Sequence, residues 1–228
     1  MSTLQSRLAD VDRQIDAAIR DAGRQPSEVT RIVVTKFHPA SLVRELAELG
    51  VRDVGENRQQ ELTAKRAELA DLGDLRWHFI GQAQTNKARQ VRAASSVVHS
   101  VDRIRLADAL HAAAPADGDV LDVLVQVNLT DDAGRGGVAP QELDALAEHV
   151  LGLDSLRLRG IMAVAPLDEP PASAFRRLAG YAERVRALAP EARWISAGMS
   201  HDFAEAIACG ATHLRIGSAI TGERPARG

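Results

Sequence analysis

The feature that most constrains this chain is a repeated change of hydrophobic period. Residues 31–35 form a short β-branched run, with alternate side chains on opposite faces. Pro39 then opens a stretch with Leu42, Val43, Leu46 and Leu49 at helical spacing, and Gly50 closes it. The same change recurs along the chain. Further strands are expected at 51–54, 76–80, 96–99, 120–127, 156–162, 193–196 and 212–216. Between them the spacing predicts helices at 57–72, 85–94, after a cap at Asp102, from Pro140, at 172–188 and at 202–209, with a short one near Ala219. Eight strands alternating with helices is the count of a (β/α)8 barrel. A doubly wound sheet is the alternative, but it usually has fewer strands in 228 residues. No linker, repeat or low-complexity tract divides the chain, so one domain is expected over 1–228, with the barrel at 31–222.

Ahead of the barrel, Leu4, Leu8, Val11, Ile15 and Ile19 predict an amphipathic helix within 1–23, with Ser2 and Gln5 as a capping box and Gly23 as its end. That opening has no signal-peptide core, and no apolar run approaches the ~20 residues of a membrane span. A cytoplasmic protein without membrane contact is the expectation. The net charge of −3 gives no overall field to draw in a polyphosphate, and aromatic residues are only 3%, which leaves few platforms for bases to stack on. Nucleic acid is therefore not the expected partner. The one cysteine, Cys209, supplies neither a disulfide nor a Cys-rich metal site, and reads as a small buried apolar residue in an Ala-rich helix. The seven histidines lack metal-ligand spacing. His78 and His99 read as packed, hydrogen-bonded strand residues, and His38 as a helix entry. Gly134 to Ala139 formally fits G-x-G-x-x-A, but Asp131 and Asp132 separate it from its strand, unlike a dinucleotide fingerprint.

In barrels of this class the chemistry lies at the C-terminal ends of the strands. That rule selects Lys36, Asn57, Gly81, Asn128, Met162, the Gly198-Met199-Ser200 loop and the run from Arg215 through Gly217 and Ser218. Lys36 ends strand one on the face of Ile32 and Val34. An amine over an apolar floor is desolvated, and the neutral form is the nucleophile that condenses with a carbonyl. A surface lysine snorkelling at a strand end is the plain alternative. After strands seven and eight, Gly198, Gly217 and Gly222 alternate with Ser200, Ser218 and Thr221. Barrels often hold phosphate there, on backbone N–H groups and hydroxyls. Ordinary loop chemistry uses the same residues. A lysine beside a phosphate cup suits a phosphorylated carbonyl compound, either pyridoxal phosphate or a sugar phosphate.

Taken in order, Val33-Val-Thr-Lys36, Gly55-Glu-Asn57, Trp77-His-Phe-Ile-Gly81, Arg159-Gly-Ile-Met162, Gly198-Met-Ser200 and Arg215-Ile-Gly-Ser-Ala-Ile-Thr-Gly222 resemble the pyridoxal-phosphate homeostasis proteins, stand-alone relatives of the alanine racemase barrel domain. The resemblance runs from about Leu4 to Gly222. It implies a Schiff base between pyridoxal 5′-phosphate and Lys36, phosphate contacts from Ser200, Gly217 and Ser218, and a pyridine-nitrogen contact from Arg215. With Asn57, Met162 and Met199, selected by their strand-end positions, these make up the expected cofactor-binding set, with no metal. The chain departs from the family pattern at Phe37-His38, where Thr-Lys is common, and at Glu223-Arg-Pro. Neither touches the position of the Schiff base.

An arginine at the ring nitrogen argues about activity. It donates and leaves that nitrogen unprotonated, so the ring is a poor sink for a substrate carbanion. Racemisation also needs a second base, which alanine racemases take from a tyrosine of an additional domain. Here the barrel consumes the chain, and Tyr181, the sole tyrosine, falls in a predicted helix. The expectation is a binder of pyridoxal phosphate in cofactor homeostasis, with little catalysis of its own. Recipient apoenzymes are its expected macromolecular partners. The alternatives are a weak amino-acid racemase, a lysine Schiff-base aldolase and, least supported, a protein-interaction module. The family analogy suggests a monomer, and Leu- and Ala-bearing surface helices leave a dimer open.

Overall fold

A computed structural model describes residues 2–116, 118–132 and 134–223. Eight parallel strands close into a barrel in the order β1-β2-β3-β4-β5-β6-β7-β8. They are β1 Thr30–Val34, β2 Asp53–Glu56, β3 Arg76–Phe79, β4 Val97–Val101, β5 Leu121–Gln126, β6 Leu156–Met162, β7 Trp194–Ser196 and β8 His213–Ile216. The closing pair sets Ile32 beside Arg215 and Val33 beside Ile216. The closure excludes a doubly wound sheet, whose edges stay open.

Helices cover the outside: α1 Leu4–Asp21, α2 Ala40–Glu48, α3 Gln59–Glu68, α4 Ala88–Ala94, α5 Ile104–Ala112, α6 Leu143–Leu151, α7 Pro171–Leu188, α8 Phe203–Ala208 and α9 Ser218–Thr221. None of these is long and apolar enough to cross a membrane. The main core lies between strands and helices, and includes the predicted stripe Leu4, Leu8, Val11, Ile15 and Ile19 of α1. Val97, Leu124 and Met162 form a smaller apolar layer, with Trp194 packed against it.

α1 is fastened to the end of the barrel fold. Arg7 Nε donates to the Ile220 carbonyl of α9 at 2.7 Å, and Arg24 Nη1 donates to Ala211 O at 2.7 Å and Ile207 O at 3.1 Å. Arg24 thereby binds one carbonyl in the last turn of α8 and one in the connection to β8.

Element ends depart from expectation where tertiary contacts decide them. Thr3, not Ser2, caps α1, accepting from Ser6 N at 3.1 Å. Asp102 does not cap α5; the cap position is Arg103, whose guanidinium bonds the Asp102 carboxylate. α6 begins three residues after Pro140, because the intervening turn is closed by Glu142 N to Ala139 O at 2.9 Å. β2 runs two residues later than predicted, since Gly55 and Glu56 pair with His78 and Phe79. α3 is shorter than the 57–72 stretch. Cys209 is half-buried at the C-cap of α8 rather than fully inside.

Candidate functional site

β1 ends at Val34, and Lys36 stands two residues beyond it in a turn. The next residue, Phe37, has φ +69°, in the left-handed region that bulky L-residues rarely adopt. Such a conformation persists only when its surroundings hold it. They do so here through α3. Glu61 accepts from Phe37 N at 2.8 Å, and Lys65 Nζ donates to Thr35 O at 2.8 Å. Lys65 also donates to Glu56 Oε1 at 2.5 Å, and Thr35 Oγ1 donates to the same oxygen at 2.6 Å. The backbone on both sides of Lys36 is thus gripped from below by one turn of helix. Burial pushes the Glu56 carboxyl above its usual range despite these donors.

Over that turn lies a cavity of about 280 Å³ at the C-terminal mouth of the barrel. Lys36, Met199, Ser200, Arg215, Gly217 and Ser218 meet in its lining, so six of the eight cofactor positions implied by the sequence converge. Residues not singled out for the cofactor also line it, among them Val34, Phe37, Ile80 and His201. Phe37 and His201 follow a chosen residue directly in sequence, the one signal that could have found them. His38, expected only as a helix entry, lines the cavity too, and burial, then Lys65 and Arg7, lower its pKa.

The other two implied positions lie elsewhere. Met162 is 2% exposed, in the apolar layer with Val97 and Leu124. Asn57 is outside the lining, and its Oδ1 is buried without a hydrogen-bond partner. Of the wider candidates, Gly81 belongs to packing: a Cβ there would come 2.0 Å from Asn57 O. Asn128 holds its own loop, donating to Asp132 O at 2.9 Å and accepting from Thr130 N at 2.9 Å. That loop flanks a separate open groove with Thr130, Arg135 and Arg177.

The candidate anion seat is local in origin. Gly198 has φ +90°, and a Cβ there would meet Ala206 Cβ at 2.8 Å, so only glycine turns the loop into α8 at this point. Asp202 Oδ1 then accepts from Met199 N at 2.6 Å and fixes the loop that carries Ser200. On the other side Gly217 accepts from Ile220 N at 2.9 Å and Thr221 N at 3.0 Å, turning the chain into α9 with Ser218 first. First-turn N–H groups and two hydroxyls suit a phosphate.

Arg215 enters from β8 and is 5% exposed. Its Nη1 donates to Ser196 Oγ at 2.7 Å and its Nη2 to Ala163 O at 2.8 Å. Burial lowers its pKa to about 10, which leaves it charged at neutral pH. Two of its five N–H donors are engaged, so donors remain for a ligand in the cavity. The Lys36 ammonium stands 5.9 Å from the centre of the Phe37 ring, and no carboxylate among the described residues pairs with it. An uncommitted amine, a donor-lined anion seat and a buried arginine fit the carbonyl, phosphate and ring nitrogen of pyridoxal phosphate. No group of three or more potential metal ligands occurs among the described residues.

Residues 13–225 match the family described as alanine racemase, N-terminal domain. The pyridoxal phosphate homeostasis protein of Pseudomonas aeruginosa is 44% identical over 228 residues, covering 98% of this chain and 97% of that protein. Its namesake in Escherichia coli is 39% identical over 229 residues, covering 98% of each. The structure of PipY from Synechococcus elongatus with pyridoxal phosphate bound superposes with a TM-score of 0.85 at 36% identity, covering 96% of this chain and 100% of that one. An alanine racemase of Clostridium difficile shares the fold alone, at TM-score 0.67 and 18% identity, over 94% of this chain and 57% of that one. With a match to the alanine racemase N-terminal domain over most of its length and full-length relatives at this identity, the chain belongs to the family of pyridoxal phosphate homeostasis proteins.

Proposed function

We propose that this chain holds pyridoxal 5′-phosphate as a Schiff base on Lys36 and serves intracellular homeostasis of that cofactor. The observation that carries the reading is the convergence of Lys36, Ser200, Arg215, Gly217 and Ser218 on one cavity. Pyridoxal phosphate bound to the similar PipY barrel supports it. Ser200, Ser218 and the first N–H groups of α9 hold the phosphate. Arg215 donates to the ring nitrogen, and Met199 covers the mouth. When bound, the cofactor supplies electrophilic carbonyl chemistry. The protein's residues orient it and restrain that chemistry. A charged Arg215 keeps the ring nitrogen an acceptor, which weakens its power to stabilise a carbanion. Tyr181 lies on α7 outside the cavity lining, so it supplies no second base there. The chain is read as one barrel domain, a carrier that delivers the cofactor to recipient apoenzymes and has little catalysis of its own.

One experiment with two readouts tests this. Borohydride reduction of the cofactor-loaded protein, followed by peptide mass spectrometry, should place the adduct on Lys36, and Lys36→Ala should lose it while staying folded. The same loaded protein, incubated with amino acids in D2O, should show negligible α-deuteration by NMR. An adduct on Lys65 or Lys87 would overturn the site, and rapid exchange with chiral inversion would make the protein a racemase.

A further inference from the structure

A line of polar side chains crosses the inside of the barrel, where apolar packing is the rule for this fold. It starts near the N-terminal face. Asp53, the first residue of β2, is 2.9 Å from His78 Nε2. His78 Nδ1 is 2.9 Å from His99 Nε2, and His99 Nδ1 is 2.9 Å from Ser196 Oγ. Ser196 accepts from Arg215 at 2.7 Å, in the lining of the cofactor cavity. His78, His99 and Ser196 are each fully buried. The line therefore joins one face of the barrel to the other with no missing partner.

Its direction is determined. Asp53 is an acceptor, because its carboxylate, with the Arg76 guanidinium 3.8 Å away, is ionised and has no proton to donate. His78 must then donate through Nε2 and accept at Nδ1. His99 must donate through Nε2 and accept at Nδ1, so the Ser196 hydroxyl donates to His99 and accepts from Arg215. The reverse direction would aim a ring lone pair at a carboxylate. Every bond dipole consequently presents its negative end toward Arg215 and its positive end toward Asp53. Aligned hydrogen bonds in a low-dielectric interior reinforce one another.

We propose that Asp53, His78, His99 and Ser196 are positioning residues, a directed hydrogen-bond relay that fixes the charge and aim of Arg215 from the face opposite the cofactor. This rests on the reading that Arg215 meets the ring nitrogen of pyridoxal phosphate. The relay makes the electronic state of that nitrogen depend on a carboxylate at the far end of the barrel. The residues assigned to it touch neither phosphate nor carbonyl. Loss of the relay is expected to alter the ring end of the cofactor and spare the Lys36 adduct.

The test uses pyridoxal phosphate labelled with 15N in the ring, bound to the wild-type protein and to three variants. Asp53→Asn keeps the shape and an acceptor for His78 while removing the charge, at a position only partly buried, so folding is preserved. His99→Leu interrupts the line, and His99→Gln restores an acceptor and a donor. The ring-nitrogen resonance should move in Asp53→Asn and further in His99→Leu, and return toward wild type in His99→Gln. Cofactor affinity should fall about fivefold in Asp53→Asn and about tenfold or more in His99→Leu, the scale of one weakened or lost hydrogen bond to a charged group. Borohydride should still fix the cofactor to Lys36 in all of them. An adduct with an unmoved resonance in folded Asp53→Asn and His99→Leu overturns the relay alone. Absence of the adduct in the wild-type protein overturns the functional reading and the relay with it.

Discussion

At the residue scale, the cavity brings together few groups, each with a separable proposed task. Ser200, in the loop before α8, and Ser218, at the start of α9, both line it, so in the proposed reading their hydroxyls serve one anion from two sides. Losing one hydrogen bond to a charged group costs about 1.5–3 kcal/mol, or roughly ten- to a hundredfold in affinity. Ser200→Ala with Ser218→Ala should therefore weaken pyridoxal phosphate binding strongly and leave binding of unphosphorylated pyridoxal nearly unchanged, as titration calorimetry would show. A double variant that keeps full preference for the phosphorylated form would move the anion seat elsewhere. The types and order of these residues were legible in the sequence. The exclusion of Met162 and Asn57 from the lining was not, because strand-end position does not say whether a side chain points to the mouth or packs inside.

At the element scale, the turn that carries Lys36 owes its shape to α3. Lys65 is 8% exposed and Glu56 0%, so their ion pair is buried, and it holds the Thr35 carbonyl as well. Removing one partner of a buried pair leaves an uncompensated polar group, at a cost of about 3–5 kcal/mol. Lys65→Met should lower stability on that scale in urea unfolding and loosen Lys36, with weaker cofactor binding. Adding Glu56→Leu should recover much of the stability but not the affinity, because Thr35 O still lacks its donor. If the single variant is as stable as wild type, this ion pair does not hold the turn. Periodicity located α3 but could not show this role, since Lys65 looks like any exposed helix lysine until the fold closes over it.

At the scale of the whole molecule, three histidines are buried neutral within the barrel. Burial lowers His78, takes His99 well below its ordinary value of 6.5, and brings His213 to about 3. Below pH 6.5 the unfolded chain takes up these protons and the folded chain does not, so stability is full above that pH and is lost as pH falls toward 3. Each histidine contributes a slope of up to about 1.4 kcal/mol per pH unit in that window. Glu56, with its raised pKa, works the other way at the acid end. Urea unfolding should show stability nearly flat above pH 7.5 and falling between 6.5 and 5, with a smaller slope in His213→Asn; no dependence on pH there would contradict the burial. The sequence by itself determined the alternation of eight strands with helices, the amphipathic α1 and the nature of the groups at the strand ends, because period and residue type are local properties. Only the tertiary structure decided that Lys65 grips the turn of Lys36, that Phe37 takes a left-handed conformation, and that Asp53, His78, His99, Ser196 and Arg215 form one line. Those contacts join five different strands and a neighbouring helix, and side chains so far apart in the chain meet only when the barrel closes.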